Sequence, residues 1–184
     1  MFQGPTTWLL LLTTLFTATA AVWDLRTGLI PNRLVGSGAI AVTALIIAFA
    51  IPQGIVATAA ALLLMVAGAA IAAIVPALLY RLDGIGGGDV KLLALVGAAL
   101  GPYMGLEAEL YAFASILFYA PLRLSLDGSL RKTLHNAGQL LLRPLLRTEQ
   151  RPALNTTEMT SFRFGPAIFV GTLAVTSLHL WNAA

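Results

Sequence analysis

The stretch Gly84-Ile85-Gly86-Gly87-Gly88-Asp89-Val90-Lys91-Leu92-Leu93 sets the organisation of the chain, because it is poorly suited to a membrane segment. Gly86, Gly87 and Gly88 give up side-chain packing and cost helix stability, so they are expected where backbone bends sharply or closely approaches another group. Asp89 follows them and precedes a strongly apolar segment. A carboxylate where a glycine loop becomes a hydrophobic helix is costly, which indicates a functional site.

The overall composition places this stretch in an integral membrane protein. Hydrophobic residues make up 58% of the chain, charged residues 10%, and the mean hydropathy is +0.86. This leaves too little polar surface to cover a soluble globule of 184 residues. The absence of cysteine excludes disulfides, thiolate metal sites and cysteine nucleophiles. No basic and aromatic face of a soluble module is visible, so nucleic acid binding is not predicted.

Six apolar segments are predicted to cross the membrane, giving an all-α polytopic fold with a single membrane-embedded domain over residues 1–184. The fourth segment follows the glycine loop and is interrupted by Gly101-Pro102. A basic interlude over residues 124–163 precedes the sixth segment, and within it residues 130–142 place their apolar positions on one helical face. This pattern predicts an amphipathic helix lying on the inner leaflet, held by anionic lipids. The predicted spans are residues 6–23, 34–51, 55–80, 89–106, 108–122 and 164–181.

The basic residues predict an orientation in the membrane. All eleven Lys and Arg residues fall in or beside loops that six spans place on one side. The positive-inside rule makes that side cytoplasmic, with both termini outside and with Glu107 and Glu109 facing outward. Asp24 ends the first span and Asp89 opens the fourth. Both acids are therefore predicted at the cytoplasmic boundary of an inner (cytoplasmic) membrane, where they can meet.

Two carboxylates that meet beside an apolar region are expected to share one proton, which is the chemistry of aspartic proteases. One carboxylate takes a proton from the water that attacks a peptide carbonyl, and the protonated partner donates to the developing oxyanion. The glycines of residues 86–88 would let an extended peptide lie against backbone groups. No metal or cofactor is expected, since His135 and His179 have no partner at ligand spacing.

Two motifs together resemble the two-aspartate signature of the type IV prepilin peptidases, a family of polytopic membrane aspartic proteases. The first is Asp24 followed by Ile30-Pro31-Asn32, and the second is Gly86-Gly87-Gly88-Asp89-Val90-Lys91-Leu92. Phe164-Gly165-Pro166-Ala167, at the start of the last span, is similar to the C-terminal element of that family. The resemblance covers nearly the whole membrane region.

The resemblance implies a protease that removes the short basic leader of prepilin-like proteins on the cytoplasmic side, with Asp24 and Asp89 as catalytic residues. The chain resembles the short forms that serve Flp or Tad pili or archaeal preflagellins, since it lacks the cysteine-containing region of the larger bifunctional members. N-methyltransferase activity is therefore not expected. The expected partners are a prepilin-like substrate and membrane lipids. The supporting residues implied by the motifs are Gly86, Gly87, Gly88, Lys91, Ile30, Pro31 and Asn32.

Other interpretations of these residues stay open at the level of sequence. Asp24 and Asp89 could cap helix ends, and Lys91 could steer Asp89 electrostatically or extend to lipid headgroups. Asp83 lacks the motif position and is interpreted as a solvated loop charge. The rival functions are a small ion- or proton-coupled transporter, in which the acids bind a cation or relay protons, and a noncatalytic factor for pilus assembly. Cleavage of a prepilin by purified protein would separate the protease from both.

Overall fold

The computed structural model describes residues 5–82, 84–126 and 163–182, and every regular element in these ranges is a helix. One compact unit contains most of the described chain, namely residues 5–82, 84–115 and 163–182. Of a second unit, the structure describes residues 116–126, which form the end of a helix. The elements are α1 (Pro5–Thr27), α2 (Asn32–Ala50), a 3₁₀ turn (Ile51–Gln53), α3 (Ile55–Arg81), α4 (Gly87–Leu126) and α5 (Gly165–Asn182).

The prediction of an all-helical, multi-pass membrane protein is confirmed. Among the described residues, four helices are long and apolar enough to span a bilayer, namely Thr6–Thr27, Asn32–Gln53, Ile55–Arg81 and Gly87–Tyr119. The count of six spans stays a prediction, because α5 is not among these four although it coincides with the predicted sixth span. The single domain over residues 1–184 also stays a prediction. The predicted amphipathic helix of residues 130–142 lies outside the described residues.

The connection between α1 and α2 is much shorter than the sequence suggested. Helix α1 continues to Thr27, so Asp24 lies inside its last turn instead of following the helix. Gly28 ends the helix with a φ of 71°, and its N–H donates to the carbonyl of Asp24 at 2.8 Å, as in a left-handed C-terminal cap. Pro31, at φ −65° and ψ 132°, then starts α2, which leaves a tight loop between the two helices.

Helix α4 reverses direction at Gly101, the position of the predicted interruption. Gly101 has φ 78° and ψ 177°, a conformation that favours glycine. A Cβ placed on Gly105 would lie 2.7 Å from the Cα of Gly97, whereas eight residues of straight helix would separate them by ~12 Å. Residues 102–115 therefore return alongside residues 87–100. The predicted boundary between spans near residue 107 is wrong, because residues 102–126 continue as helix.

Small residues allow these helices to approach each other closely. A Cβ on Gly68 of α3 would collide with the carbonyl oxygen of Gly97, and a Cβ on Gly97 would lie 2.5 Å from the Cβ of Ala72. Helix α5 approaches the returning segment of α4 in the same way, since a Cβ on Gly171 of α5 would lie 3.1 Å from the Cβ of Ala112 of α4. Close packing of this kind is how helices associate where lipid removes the hydrophobic driving force.

Helices α1 and α5 pack along each other in opposite directions. Thr14 of α1 and Thr176 of α5 share a hydrogen bond of 2.8 Å between their hydroxyls. The buried Thr17 and Thr172 instead donate to the carbonyl one turn earlier in their own helices, which satisfies these hydroxyls inside the bundle. The antiparallel arrangement places the end of α1 beside the start of α5. We call this the Asp24 end of the bundle.

A cavity of about 420 Å³ lies at the opposite end of the bundle. It is bounded by α1, α2, α3 and the two segments of α4 next to the Gly101 reversal, with Leu9, Phe49, Leu64 and Leu100 among its lining residues. Residues 98–101, next to the reversal, form part of its wall.

Candidate active site

Asp24 is buried at the end of α1, with an exposed fraction of 4%. Its Oδ2 accepts a hydrogen bond of 3.0 Å from the backbone N–H of Gly165, the first residue of α5. The first N–H groups of a helix have no partner within the helix and carry partial positive charge, so a carboxylate is stabilised there. The carboxyl group of one helix thus caps the start of another.

Asp89 lies in the first turn of α4, where 9% of the residue is exposed. Its Oδ2 accepts a hydrogen bond of 3.1 Å from the backbone N–H of Gly86, immediately before the helix. Asp89 therefore caps the start of its own helix, while Asp24 caps the start of a distant one. The helix-capping interpretation and the pairing of the acids are thus compatible.

The two carboxyl groups lie close enough for the charge of Asp24 to act on Asp89. The two residues lie on different helices and are 65 positions apart in sequence (89 − 24). For each carboxyl, one oxygen takes a hydrogen bond from a glycine N–H, and the other takes none from the residues that the structure describes. Within the described part of the chain, each acid therefore has one oxygen available to bind water.

The glycines before Asp89 leave space for neighbouring groups, which is one of the two roles predicted for them. None of these glycines has a positive φ, and the chain bends at residues 84–85. A Cβ on Gly86 would lie 3.1 Å from Oδ2 of Asp89, and a Cβ on Gly87 would lie 3.4 Å from the ring of Tyr80. A Cβ on Gly88 would lie 3.0 Å from the Cβ of Ile30. The Cβ positions of these glycines thus face other groups of the protein, while Gly86 itself is exposed. The binding of an extended peptide along residues 86–88 stays a prediction.

The supporting residues predicted from the two motifs are brought together around the first turn of α4. Ile30 lies against Gly88, and Nζ of Lys91 donates a hydrogen bond of 2.9 Å to Oδ1 of Asn32. Pro31 contributes its carbonyl, which accepts the N–H groups of the first turn of α2. Neither sequence-based interpretation of Lys91 anticipated an amide as its partner.

Gly165 and Tyr80 belong to this region, although neither was predicted as a residue of the site. The Phe164-Gly165-Pro166-Ala167 element signalled that the start of α5 matters, but nothing in it identified Gly165 as the donor to Asp24. The ring of the buried Phe164 packs against Phe113, with centroids 5.2 Å apart, and so fixes the start of α5. Tyr80 had no sequence signal, because its contact with Gly87 depends on how α3 meets α4.

Glu107 and Glu109 both lie inside the returning segment of α4, whereas the sequence placed Glu107 between two spans. Their outward orientation in the membrane stays a prediction. Glu109 has an exposed fraction of 4%, and it shares the buried face of that segment with Ala108 and Ala112. Oε2 of each glutamate is buried without a hydrogen-bond partner among the described residues. Glu109 is thus a third buried acid, distinct from the pair at the Asp24 end.

The two histidines and Asp83 were also considered as functional residues in the sequence. His179 contacts the carbonyl of Val175 through Nδ1 at 3.0 Å, which gives it a structural partner. Within residues 5–82, 84–126 and 163–182, no three His, Asp or Glu side chains cluster as metal ligands would. The absence of a metal stays a prediction. His135 and Asp83 lie outside the described residues.

A model of the type IV leader peptidase family matches residues 10–121, which is more than half of the chain and contains both Asp24 and Asp89. No curated protein and no solved structure gives a significant match. The family match ends before the Phe164-Gly165-Pro166-Ala167 element, so the fold around Asp24 is what links that element to the matched region. On the family match, this chain is a member of the type IV leader peptidase family.

Proposed function

We propose that the protein is a membrane aspartic endopeptidase that removes the leader of type IV prepilin-like proteins, with Asp24 and Asp89 as its catalytic pair. The observation that carries the proposal is the proximity of these two buried carboxyls, which lie close enough for the charge of one to act on the other and are each held at one oxygen by a glycine N–H. Helix capping alone does not require two acids from distant parts of the sequence to lie this close. Membership of a leader peptidase family supplies the reaction class.

The geometry supports a mechanism with one shared proton. The ionised carboxyl takes a proton from a water held between the free oxygens, and the oxygen of that water attacks the scissile carbonyl carbon. The protonated carboxyl donates to the carbonyl oxygen as it gains charge. When the tetrahedral intermediate collapses, the carbon–nitrogen bond breaks and a proton passes to the leaving amine. The products are a leader with a new carboxylate and a mature protein with a new amine, and the pair regains one proton.

The glycine N–H groups give this pair its fixed geometry. Backbone donors cannot rotate away, so Gly86 and Gly165 hold the carboxyl planes through the catalytic cycle. Pre-organised donors cost no rearrangement when the reaction occurs. Asp24 and Asp89 at one membrane end also fit a protease better than a transporter, whose ion sites typically lie near the midplane.

The substrate is proposed to be a prepilin-like protein of the Flp or Tad type, or a preflagellin-like protein, cut at the cytoplasmic face. The exposed basic residues of the described chain support this orientation, because Arg26, Arg33, Arg81 and Arg163 all adjoin the Asp24 end. Reporter fusions after Gln53 and after Gly128 should report opposite sides of the membrane, with Gln53 outside. Both reporters on one side would contradict the orientation.

Purified protein in detergent should convert a prepilin-like substrate to a shorter product without added cofactor. The measurement is gel mobility together with the mass of the new N-terminus, which identifies the bond that is cut. A chelator should leave the rate unchanged, because the proposed mechanism uses carboxyl groups alone. Loss of cleavage in chelator and its return with zinc would contradict the mechanism, and unchanged substrate mass under all conditions would contradict the function.

A further inference from the structure

The mutual placement of Asp24 and Asp89 needs an explanation that their own hydrogen bonds do not provide. Gly165 anchors Asp24 to α5, and Gly86 anchors Asp89 to the start of its own helix. Neither bond connects the two acids to each other. Something must hold the end of α1 against the start of α4, because a small change in separation would disrupt a shared water and proton.

Two contacts join these parts of the chain directly. Ile30, in the α1–α2 loop, lies against Gly88, whose missing side chain leaves the space that Ile30 occupies. Asn32, at the start of α2, accepts the hydrogen bond from Lys91 at 2.9 Å. The two contacts lie on either side of Asp89 in sequence, one residue before it and two after it.

Lys91 is placed to connect helices and not to serve the carboxyl pair. Residues two apart on a helix point in different directions, so its side chain does not share the face of Asp89. Asp89 is buried whereas Lys91 is exposed. Among the described residues the partner of Lys91 is an amide oxygen, not a carboxylate. Because the ammonium of Lys91 is bound to Asn32, it makes no direct contact with a reacting group.

We propose that Lys91 and Asn32 are positioning residues, whose hydrogen bond latches the α1–α2 loop onto the first turn of α4 and so sets the separation of Asp24 and Asp89. The inference rests on the proposed function, since the effect of the latch is measured in catalysis. The packing of Ile30 on Gly88 supports the same loop from the other side. We call the pair Lys91–Asn32 the latch.

A double-mutant cycle tests the latch. Lys91→Met keeps the aliphatic length of the side chain and removes the donor, and Asn32→Leu keeps the branched shape and removes the acceptor. Each change is expected to lower kcat about tenfold, with KM changed less than twofold, because a misplaced pair loses rate before it loses substrate. The double variant should be no slower than either single variant, as expected for two groups that act through one bond.

Two further variants separate positioning from other roles. Lys91→Arg restores a cationic donor and is expected to recover at least half of the wild-type kcat. Arg33→Met removes a positive charge next to Asn32 without touching the latch, and it should keep the wild-type kcat. Thermal midpoints in detergent should agree among all variants, so that a loss of rate is not a loss of folding.

The outcomes distinguish the latch from the function. Additive losses in the double variant, or a Lys91→Met effect confined to KM and dependent on the charge of the leader, would overturn the latch while wild-type cleavage continued. A fall in kcat for Arg33→Met equal to that for Lys91→Met would do the same, since it would assign the effect to charge alone. Absence of cleavage by the wild-type protein would instead refute the proposed function.

Discussion

Asp24→Asn and Asp89→Asn are each expected to lower the rate of leader removal by about 10³-fold or more, as replacement of a residue in a cooperating catalytic group does. Asparagine keeps the size of aspartate and still accepts the glycine N–H, so the cap on each helix persists. It cannot take a proton from water or pass one on. The measurement is mature product formed with time by protein reconstituted in detergent or lipid.

The double variant Asp24→Asn/Asp89→Asn should be no slower than either single variant, because the two carboxyls act as one unit. All three proteins should insert into the membrane and bind substrate, which co-purification with an uncut prepilin-like protein would report. Substantial proteolysis by either single variant would show that Asp24 and Asp89 are not the catalytic pair.

Glu109→Gln is the matched control, since it also exchanges a buried acid of the bundle for its amide. Glu109 lies outside the proposed mechanism, so this variant should retain most of the wild-type rate. Asp83→Asn, which removes a charge close to Asp89 in sequence, should do the same. Loss of cleavage in Glu109→Gln, with the protein still folded, would require a third acid in the reaction.

Gly165→Ala is expected to lower the rate of cleavage by about 100-fold, the scale at which ångström displacements of catalytic groups act. The added Cβ would lie 2.9 Å from both Cβ and Oδ2 of Asp24, which forces the carboxyl away from its N–H donor. The backbone of Gly165 is helical, so alanine suits its conformation and the effect is one of space. Initial rates at saturating substrate measure the change.

Gly36→Ala controls for the exchange of a helical glycine. A Cβ on Gly36 of α2 would meet nothing within 4 Å, so this variant should cleave at the wild-type rate. A wild-type rate for Gly165→Ala would mean that the contact between α5 and Asp24 does not position the carboxyl. Equal losses in both variants would assign the effect to glycine replacement in general.

The acids of the site could be predicted from sequence because charge is conspicuous in an apolar chain. Asp24 and Asp89 each stand beside hydrophobic segments, and the order of spans placed them at one membrane face. Gly86, Gly87 and Gly88 were also identified, but the choice between a bend and a close approach was not. In a sequence, a glycine that is required by a turn cannot be told from one that makes room for a neighbouring side chain. Only the contacts with Ile30 and Tyr80 in the folded protein distinguish the two cases.

The division of α4 shows the corresponding limit for the fold. Gly101-Pro102 was identified as an interruption, yet the apolar residues continue beyond it, and a reversal of the chain at this point was not predicted. The structure uses Gly101 to reverse the chain and buries Glu109 in the returning helix. Sequence periodicity reports which residues favour a helix, but it does not report whether two helical stretches run on or fold back.

The reversal at Gly101 leaves a short helical segment and a cavity that can be open to membrane lipid. Residues 87–100 extend ~21 Å as a helix, less than the ~30 Å of a typical hydrocarbon core. The cavity of about 420 Å³ beyond them is lined mainly by apolar side chains, so acyl chains are its natural filling. Lipids of different chain length would fill it differently and press on residues 98–101 and Met104 of α4, which line the cavity at the reversal. We therefore expect the helix that carries Asp89 to respond to membrane thickness, as membrane proteins respond to hydrophobic mismatch by tilting or by deforming the bilayer.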